Sequence, residues 1–581
     1  MGDVLQGAAA DCNSAGETHA WFDSRVAHQS PSRIPSPCGP RATRLGGARG
    51  AGGRKPLRRG SLRADWRRDV TGPSSAPDPA GGAREADREH APMDYLRSFF
   101  DLIGNWTWGW ALVPLLVVIG LFFTLASGLV QLRFFGRMFG VLTAKQPGAE
   151  GHVSSREALL VSVGGRVGGG NIAGVAVAIT LGGPGAVFWM WAIAVVGMCT
   201  SLVESSLAQL YKRSEPGGTY RGGPAQYIIH GLGAQFRWLA VVYALCLLAA
   251  FALGFNAFQG NTVAGALEDS LGLDRLWVGA ALAVATGLIV YGGIKRIAKA
   301  SDVIVPVMAL GYIGLALLVI VLNIGELPGV IASIFANAFG FEEAVGGGMG
   351  AAISQGVRRG LFSNEAGLGS APNVAAAAFV PHPVTQGIVQ SLAVFIDTMI
   401  ICSATAFMIL LGDVYVPGAD IDGVVLTQQS LVSHVGAWSQ YALSFAILLF
   451  AFSSIIYNYY LGETALSVFT GSPAALHVLR FAIMGVVFLG AVAPGATAVF
   501  FFSDPLMGVL AVTNLLAILM LFPVALRLVG DYRDQLASGA SEPVLDPARY
   551  ADLDIDPTAW EDAADHPAAG PAPAAARPAT A

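Results

Sequence analysis

Long apolar runs recur along the middle of the chain and constrain its fold more than any other feature. A bilayer core about 30 Å thick needs about 20 residues of apolar α-helix to cross it. Eleven such runs lie near 108–130, 158–181, 185–210, 238–262, 276–293, 303–323, 346–378, 387–412, 438–462, 477–494 and 506–529. They lack the alternation over about ten residues that marks the strands of a membrane barrel. The sequence therefore predicts an all-α polytopic membrane protein with about eleven transmembrane helices.

Composition excludes several classes of function. Charged residues make up 13% of the 581 residues, against about 25% in an ordinary soluble domain, and the net charge of −5 argues against nucleic-acid binding. The five cysteines are scattered and show no zinc spacing, so we expect no disulfide framework, no transition metal and no organic cofactor. No H-E-x-x-H, no G-x-S-x-G and no pair of aspartates in flanking spans indicates an intramembrane enzyme.

The two ends differ in composition from the apolar domain, which we place at 93–530. Residues 1–92 are rich in Arg, Gly and Pro, which predicts disorder. We expect Met93 to be the true start and 1–92 to be an artefact of gene prediction. The alternative is an Arg-rich targeting segment, but the ten acidic residues of this stretch argue against a transit peptide. Residues 531–581 are acidic and then Ala/Pro-rich, which predicts a disordered cytoplasmic tail.

Basic residues fall on alternate loops. They follow spans one, three, five and eleven, and include Arg133, Lys212, Lys295 and Arg533, whereas the other loops are acidic or neutral. The positive-inside rule then puts the N-terminus outside and the C-terminus in the cytoplasm.

Two of the predicted spans are interrupted. Span two carries six glycines within Gly164–Gly174, and span seven carries a second run of polar and small residues within Gly360–Ser370. An interior glycine costs a helix roughly 1 kcal/mol relative to alanine, so neither span is predicted to be a continuous helix. Paired interruptions in corresponding spans are the best sequence pointer to the binding site of a secondary transporter. The bland alternative is that the glycines allow close helix packing.

The residues at these interruptions form long motifs. They read Gly165–Gly174 (GRVGGGNIAG), Gly182–Trp191 (GGPGAVFWMW), Tyr220–Pro224 (YRGGP) and Arg359–Pro372 (RGLFSNEAGLGSAP). Over about 100–530 the chain resembles the alanine or glycine:cation symporter family. That resemblance implies sodium-coupled import of small neutral amino acids, such as alanine and glycine, across a bacterial inner membrane. It also implies a leucine-transporter-like (LeuT) fold, an inverted 5+5 repeat that contains the two broken helices and follows one extra leading helix.

The chain departs from the family pattern in two places. Gly169 stands where the family commonly has threonine, and Ala225-Gln226-Tyr227 stands where it commonly has Met-Tyr-Tyr. The first departure removes a hydroxyl beside the expected site, so substrate preference is left open.

The breaks predict where a zwitterionic amino acid binds. Free N–H groups at the start of the outer half of span two suit its carboxylate, and carbonyls freed in span seven suit its ammonium. The predicted substrate residues are Gly168, Gly169, Gly170, Asn171, Phe362, Ser363, Asn364 and Gln259. For sodium we predict Ser453 and Ser454 with carbonyls near Gly165 and Val167, although serines in membrane helices also commonly bond to their own helix.

Several charges lie within or near spans, where a lone charge is costly and usually has a partner. They are Arg166, Glu204, Arg358, Arg359, Glu365 and Asp397, and structural ion pairs are the expected role for most. Glu365 lies in the second break and could instead bind a cation or a proton. The alternative function is therefore a proton-coupled transporter of another small amino acid such as serine or D-alanine. A channel is disfavoured because one copy of each break gives no ring of ligands, and we expect a monomer.

Overall fold

The computed structural model describes residues 95–143, 151–340, 348–416, 423–495 and 501–560. Contacts divide the chain into a unit at 24–96, of which only the helical Tyr95 and Leu96 are described, and a unit that contains the described residues from Arg97 onward. The predicted extension 1–92 and residues 561–581 lie outside the described residues, so the expectations for them stay predictions.

The described part of the chain is almost entirely helical. Its helices are α1 Tyr95–Ala126, α2 Val130–Arg133, α3 Phe135–Thr143, α4 Ser155–Arg166, α5 Gly170–Gly182, α6 Gly185–Leu210, α7 Pro224–Gly231, α8 Ala234–Leu271, α9 Arg275–Val290, α10 Gly293–Leu322, α11 Leu327–Ala338, α12 Gly348–Asn364, α13 Ser370–Ala375, α14 Pro383–Leu410, α15 Gly423–Val435, α16 Trp438–Ser467, α17 Pro473–Val492, α18 Ser503–Met520 and α19 Phe522–Ala537. One hairpin, β1 Arg213–Glu215 paired antiparallel with β2 Thr219–Arg221, follows α6.

The predicted membrane architecture is confirmed as helical, but the count of eleven is not. Among the described residues, eight helices are long and apolar enough to cross a bilayer, or nine if the bent pair α4 and α5 is one span. Predicted span five corresponds to the shorter helix α9, with 16 residues, and predicted span seven is divided between α12 and α13. The count differs because a run of apolar residues shows how hydrophobic a segment is but not where its helix begins and ends.

The helices sort by packing into two sets. Helix α6 packs chiefly against α12 and α14, and α12 also packs on α5. A second set is formed by α8, α9, α16 and α17, and α4 packs on α16 and on α10. Helix α4 also packs on α14, so the first half of the bent span adjoins both sets, whereas the second half, α5, packs chiefly on α12.

The C-terminal segment is not the solvated tail that its composition predicts. Helix α19 continues to Ala537, and two short 3-10 turns follow at Pro547–Tyr550 and Pro557–Trp560. Leu545, Tyr550 and Trp560 are buried. The average composition of 531–581 is dominated by acidic, Ala and Pro residues, and it conceals apolar residues that recur about every five positions up to residue 560.

Candidate functional site

The first break separates α4 from α5. Helix α4 begins with a capping box, in which Ser154 and Glu157 bond to each other's backbone N–H groups, and it ends at Arg166. Val167 is extended, and the chain re-enters a helix at Gly170 with its axis turned by 58°. The side-chain oxygen of Asn171 accepts the N–H of Gly168 at 2.9 Å and so closes the unwound turn. The glycine run thus forms the predicted interruption.

The second break separates α12 from α13. Glu365 has the left-handed φ of 53°, which is unusual for a residue other than glycine, and Gly367 and Gly369 both have φ of 83°. The side-chain oxygen of Asn364 accepts the N–H of Ala366 at 3.0 Å, so it satisfies a backbone group that the broken helix leaves open. This interruption was also predicted.

A buried hydrogen-bond network joins the two breaks. The amide nitrogen of Asn171 donates to Ser363 Oγ at 3.0 Å and to Asp397 Oδ1 at 2.7 Å, and Ser363 Oγ donates to Asp397 Oδ2 at 2.7 Å. Asp397 lies on α14 and also accepts from Thr398 at 2.9 Å. All four side chains are fully or almost fully buried. A carboxylate on a third helix therefore holds the first break against the second.

Aromatic rings border the glycine run. A Cβ placed on Gly169 would lie 3.5 Å from the ring of Phe258, and one placed on Gly170 would lie 3.5 Å from the ring of Phe362. The Phe362 ring lies 6.1 Å from that of Trp108 and 6.2 Å from that of Phe255, measured between centroids. The unwound backbone thus faces apolar walls, which suits a ligand with a small neutral side chain.

Gln259 lies beside the same backbone. Its Nε2 would be 3.4 Å from a Cβ on Gly168. Its Oε1 is buried and has no hydrogen-bond partner among the described residues. Because an unsatisfied buried acceptor costs about 1–3 kcal/mol, this oxygen is suited to accept a donor from a ligand.

The two serines of α16 lie at the end of α4, beside the first break. Ser453 Oγ is 2.8 Å from the carbonyl of Gly164, and Ser454 Oγ is 3.2 Å from the carbonyl of Gly165. Both hydroxyls also lie within 3.0 Å of the carbonyl of Phe450 on their own helix. The structure therefore contains both the convergent oxygens that we predicted and the bonds within the helix that were the alternative.

The chain is similar to a known family and to several named proteins. The model of the sodium:alanine symporter family matches residues 93–547. The chain belongs to this family. It is 46% identical over 468 residues to the amino-acid carrier protein AlsT of Bacillus subtilis, which covers 81% of this chain and 98% of AlsT. It is 44% identical to the probable sodium/glutamine symporter GlnT of the same organism, over 77% of this chain and 91% of GlnT.

A third relative comes from an archaeon. The sodium/alanine symporter AgcS of Methanococcus maripaludis is 36% identical over 74% of this chain and 95% of AgcS. The resemblance found in the motifs is thereby confirmed, and the chain is a multi-span membrane protein of an amino-acid symporter family. Solved structures of a manganese transporter from Eremococcus coleocola align at a TM-score of 0.42 with 13% identity.

The buried charges of this symporter do not form the ion pairs that we expected. Arg166 donates to Ser201 Oγ at 3.3 Å and to the carbonyl of Gln390 at 3.4 Å. Glu204 accepts from Asn514 at 2.9 Å, and Glu365 accepts from Ser370 and Tyr457. None of Arg166, Glu204, Glu365 and Asp397 has an oppositely charged group within 4.0 Å among the described residues. Neutral donors and carbonyls make the direct contacts, while the charge of Arg166 acts on Glu204, Glu365 and Asp397 from a longer distance.

Arg359 and its neighbour Arg358 are influenced by a different carboxylate. Asp504, at the start of α18, is the carboxylate whose charge acts on both guanidinium groups. The carbonyl of Asp504 also accepts the indole N–H of Trp108 at 2.8 Å. Asp504 is thereby linked to the aromatic rings beside the glycine run, because the ring of Trp108 lies next to that of Phe362.

Most predicted site residues come together in this symporter, and two do not. Gly168, Gly169, Gly170, Asn171, Phe362, Ser363 and Gln259 all line or join the breaks, as described above. Asn364 instead caps its own break. Val167 has no hydrogen bond to either serine in the part of the chain that is described, and the Gly164 carbonyl lies there instead.

Sequence reasoning missed the aromatic walls on α8. Phe255 and Phe258 are three residues apart, so they share one helix face, and Phe258 immediately precedes Gln259. That spacing was a usable signal. No local sequence pattern indicates that Asp397 connects the two breaks, because its hydrogen-bond partners are 34 and 226 residues away along the chain.

Proposed function

We propose that this protein is a sodium-coupled symporter that imports small neutral amino acids such as alanine and glycine by alternating access. The observation that carries the proposal is the meeting of two unwound helix breaks at one buried place. Unwound backbone at membrane depth is tolerated where it is buried in protein or lines a cavity. A transporter uses such backbone to replace the water that surrounds a charged substrate.

The substrate's two charges have distinct partners in this proposal. The carboxylate lies at the N-terminus of α5, where the first N–H groups and the helix dipole favour an anion. The ammonium donates to oxygens on the opposite side, among them Oε1 of Gln259, which is buried without a described partner. The rings of Phe258 and Phe362 limit the side chain to a small one.

Sodium binds, in this proposal, among the carbonyls of Gly164 and Gly165 and the hydroxyls of Ser453 and Ser454. These four oxygens converge from α4 and α16. Hard cations prefer oxygen ligands, and a hydroxyl that donates to a carbonyl can rotate to offer a lone pair to a cation instead. Because α4 and α16 both contribute, the ion would stabilise their contact next to the substrate.

A proton-coupled mechanism is the second candidate, and Glu365 is the residue that favours it. Its carboxylate lies in the second break and accepts from Tyr457 at 3.2 Å, one helical turn from Ser454. A carboxylate placed there could carry a proton through the cycle. If uptake by Glu365→Gln keeps its dependence on sodium and on pH, this candidate is excluded.

The deciding experiment is uptake of labelled L-alanine into proteoliposomes with an inward sodium gradient, compared with potassium at the same pH. We expect accumulation with sodium only, and competition by glycine, serine, glutamine and D-alanine would rank the substrates. Gly169→Leu should abolish uptake by filling the space before Phe258 without reducing the amount of folded protein. Retained uptake in Gly169→Leu would refute the substrate site.

The sodium site has its own matched pair of variants. Ser453→Ala should raise the sodium concentration for half-maximal uptake by about tenfold or more, which corresponds to the loss of one ligand worth about 1.4 kcal/mol. Ser467→Ala, on the same helix, removes a hydroxyl that donates only to the carbonyl of Thr464 and should leave sodium dependence unchanged. Equal behaviour of the two variants would refute the assignment.

A further inference from the structure

We propose that residues 538–560, here called the strap, are a releasable lock across the face that bears the basic loops. The proposal rests on the proposed function, since a lock has a role only if the protein alternates between states. The strap follows α19, and the anchors described next attach it to four separate elements.

The end of the strap is its deepest anchor. Trp560 is completely buried, and so is Lys212, which follows α6. The Lys212 ammonium lies 4.3 Å from the centroid of the Trp560 ring and 4.1 Å from that of Tyr220 on β2. Its Nζ also lies 3.4 Å from the carbonyl of Ala378. A buried cation held between two aromatic faces is favourable and depends on both rings.

A second anchor holds the strap to the hairpin and to α7. The carboxylate of Asp554 pairs with Arg213 at 3.0 Å and with His230 Nδ1 at 2.6 Å. Asp556 accepts the N–H of Ser214 at 2.9 Å, and Thr558 Oγ1 lies 3.1 Å from Ser214 Oγ. One short segment therefore bonds both to the residues after α6 and to the end of α7.

A third anchor lies near the start of α14. The N–H of Leu545 donates to the carbonyl of Pro381 at 2.9 Å. On the other side, Gln535 of α19 makes two hydrogen bonds to Val544, both at 2.9 Å, which fix the strap to its own helix. Arg137 of α3 donates to the carbonyl of Ser541 at 2.6 Å.

These anchors connect helices that pack in different sets. Lys212 and Pro381 adjoin α6 and α14, which pack on each other, whereas His230 lies in the last turn of α7, which packs chiefly on α8 of the other set. A relative movement of the two sets at this face would strain or break the strap. Asp554 is 61% exposed and its ion pairs are individually weak, so the strap can detach stepwise once Trp560 leaves its site.

A reversible cross-link tests whether the strap must detach. Ser214→Cys with Thr558→Cys places two thiols where the native oxygens are 3.1 Å apart. The background protein carries Cys12→Ser and Cys38→Ser. On oxidation we expect initial alanine uptake to fall by about tenfold or more and to recover on reduction. Each single variant should respond to neither treatment.

A matched cross-link controls for the chemistry. Gln535→Cys with Val544→Cys joins the strap to α19 alone, at a place where native hydrogen bonds already hold the two together. Its oxidation should leave uptake within about twofold of the reduced protein. Full oxidation of the Ser214–Thr558 pair with unchanged uptake would overturn the proposal.

Amide hydrogen exchange tests the opening of the strap without any transported substrate. In the protein with native residues at 214 and 558, the amides of Ser214 and Leu545 should exchange together through one partial opening, faster than the middle of α6. Trp560→Ala should accelerate both, and the oxidised Ser214–Thr558 pair should suppress the opening. If these amides exchange only on global unfolding, the strap is a fixed part of the fold. Absence of alanine uptake in the wild type, by contrast, would count against the proposed substrate and leave the exchange result to judge the strap.

Discussion

At the scale of single residues, the glycines of the first break differ sharply in what surrounds them. A Cβ on Gly165 would lie 2.3 Å from Cγ and Cδ1 of Tyr457, at the rigid base of that ring. A Cβ on Gly174 would have no atom within 4 Å beyond its chain neighbours and the backbone of its own helix, among the described residues. The same substitution should therefore have opposite consequences nine residues apart.

Gly165→Ala should lower the free energy of unfolding by about 1–3 kcal/mol, because overpacking must displace Tyr457 from its contact with Glu365. Gly174→Ala should be neutral or stabilising by up to about 1 kcal/mol, since it only adds helix propensity. Thermal unfolding of the purified protein in detergent measures both. Equal stability of the two variants would show that the Tyr457 ring is free to move aside.

Gly169 is one of the two places where the sequence is expected to depart from the common family pattern, with glycine in place of threonine. A Cβ there would meet the Phe258 ring at 3.5 Å, which is an ordinary contact, so Gly169→Thr should fold as well as the wild type. The added hydroxyl should change the KM of alanine by severalfold, about 3-fold or more, with a smaller effect on the maximal rate. Uptake kinetics with alanine and glycine measure this. An unchanged KM for both would place position 169 outside the substrate's reach.

At the scale of elements, Asp397 should determine how firmly the breaks are held together. Asp397→Asn keeps the shape but presents an NH₂ group to donors, so hydrogen bonds from Asn171 or Ser363 are lost. Hydrogen bonds to charged groups contribute about 1.5–3 kcal/mol each, so we expect a loss of about 2–3 kcal/mol in the free energy of unfolding.

Thr398→Val is the control for this prediction, because it removes only one donor to the same carboxylate. It should cost about 1 kcal/mol. Chemical denaturation of the two variants, together with a double-mutant cycle between Asp397→Asn and Ser363→Ala, measures the coupling. Additive effects in that cycle would mean that Asp397 does not join the breaks.

The breaks could be predicted from the sequence, whereas their partners mostly could not. Glycine clusters interrupt a helix by a local mechanism, so the turns at Gly168 and Glu365 followed from composition. The Asp397 network depends on residues brought together only by the fold. The strap escaped prediction for another reason, because Tyr550 and Trp560 are single anchors within a polar segment. The length of α9 and the division of predicted span seven depend on where helices end, which hydropathy does not record.

At the scale of the whole molecule, one device joins the two breaks and another connects the two sets of helices. The network around Asp397 joins α5, α12 and α14 where the breaks meet, and the strap lies on the face of the basic loops. In the proposed transport cycle, the strap bridges elements that would have to shift relative to one another. The Asp397 network is buried and made of hydrogen bonds to a charged group, while the strap carries exposed ion pairs, so the strap should respond first to a change of conditions.

Acid should weaken the attachment of the strap in two steps. The direction of each step follows from the pKa values of the carboxylates and of a histidine near the strap. The hydrogen bond with His230, together with Arg213, lowers the pKa of Asp554, so its contribution is present above about 3.9 and is lost as pH falls through the lowered value. Burial lowers the pKa of His382, which lies 3.3 Å from Asp531, the partner of Arg549 in the strap. The stability that neutral His382 contributes is present above about 6.5 and declines as pH falls below it.

The protection of the Leu545 amide, corrected for intrinsic exchange, should therefore decline first below about pH 6.5 and again below about pH 4. His382→Asn should remove the first decline and leave the second, because Asn keeps a side-chain oxygen to cap α14 but has no proton to gain in this range. Asp554→Asn should reduce the second decline and leave the first, because the pKa values of Asp531, Asp552 and Asp556 are also lowered and these carboxylates keep part of the second decline. Because the two groups titrate in separate windows, a single decline common to both variants would contradict the assignment, and so would protection that rises on acidification.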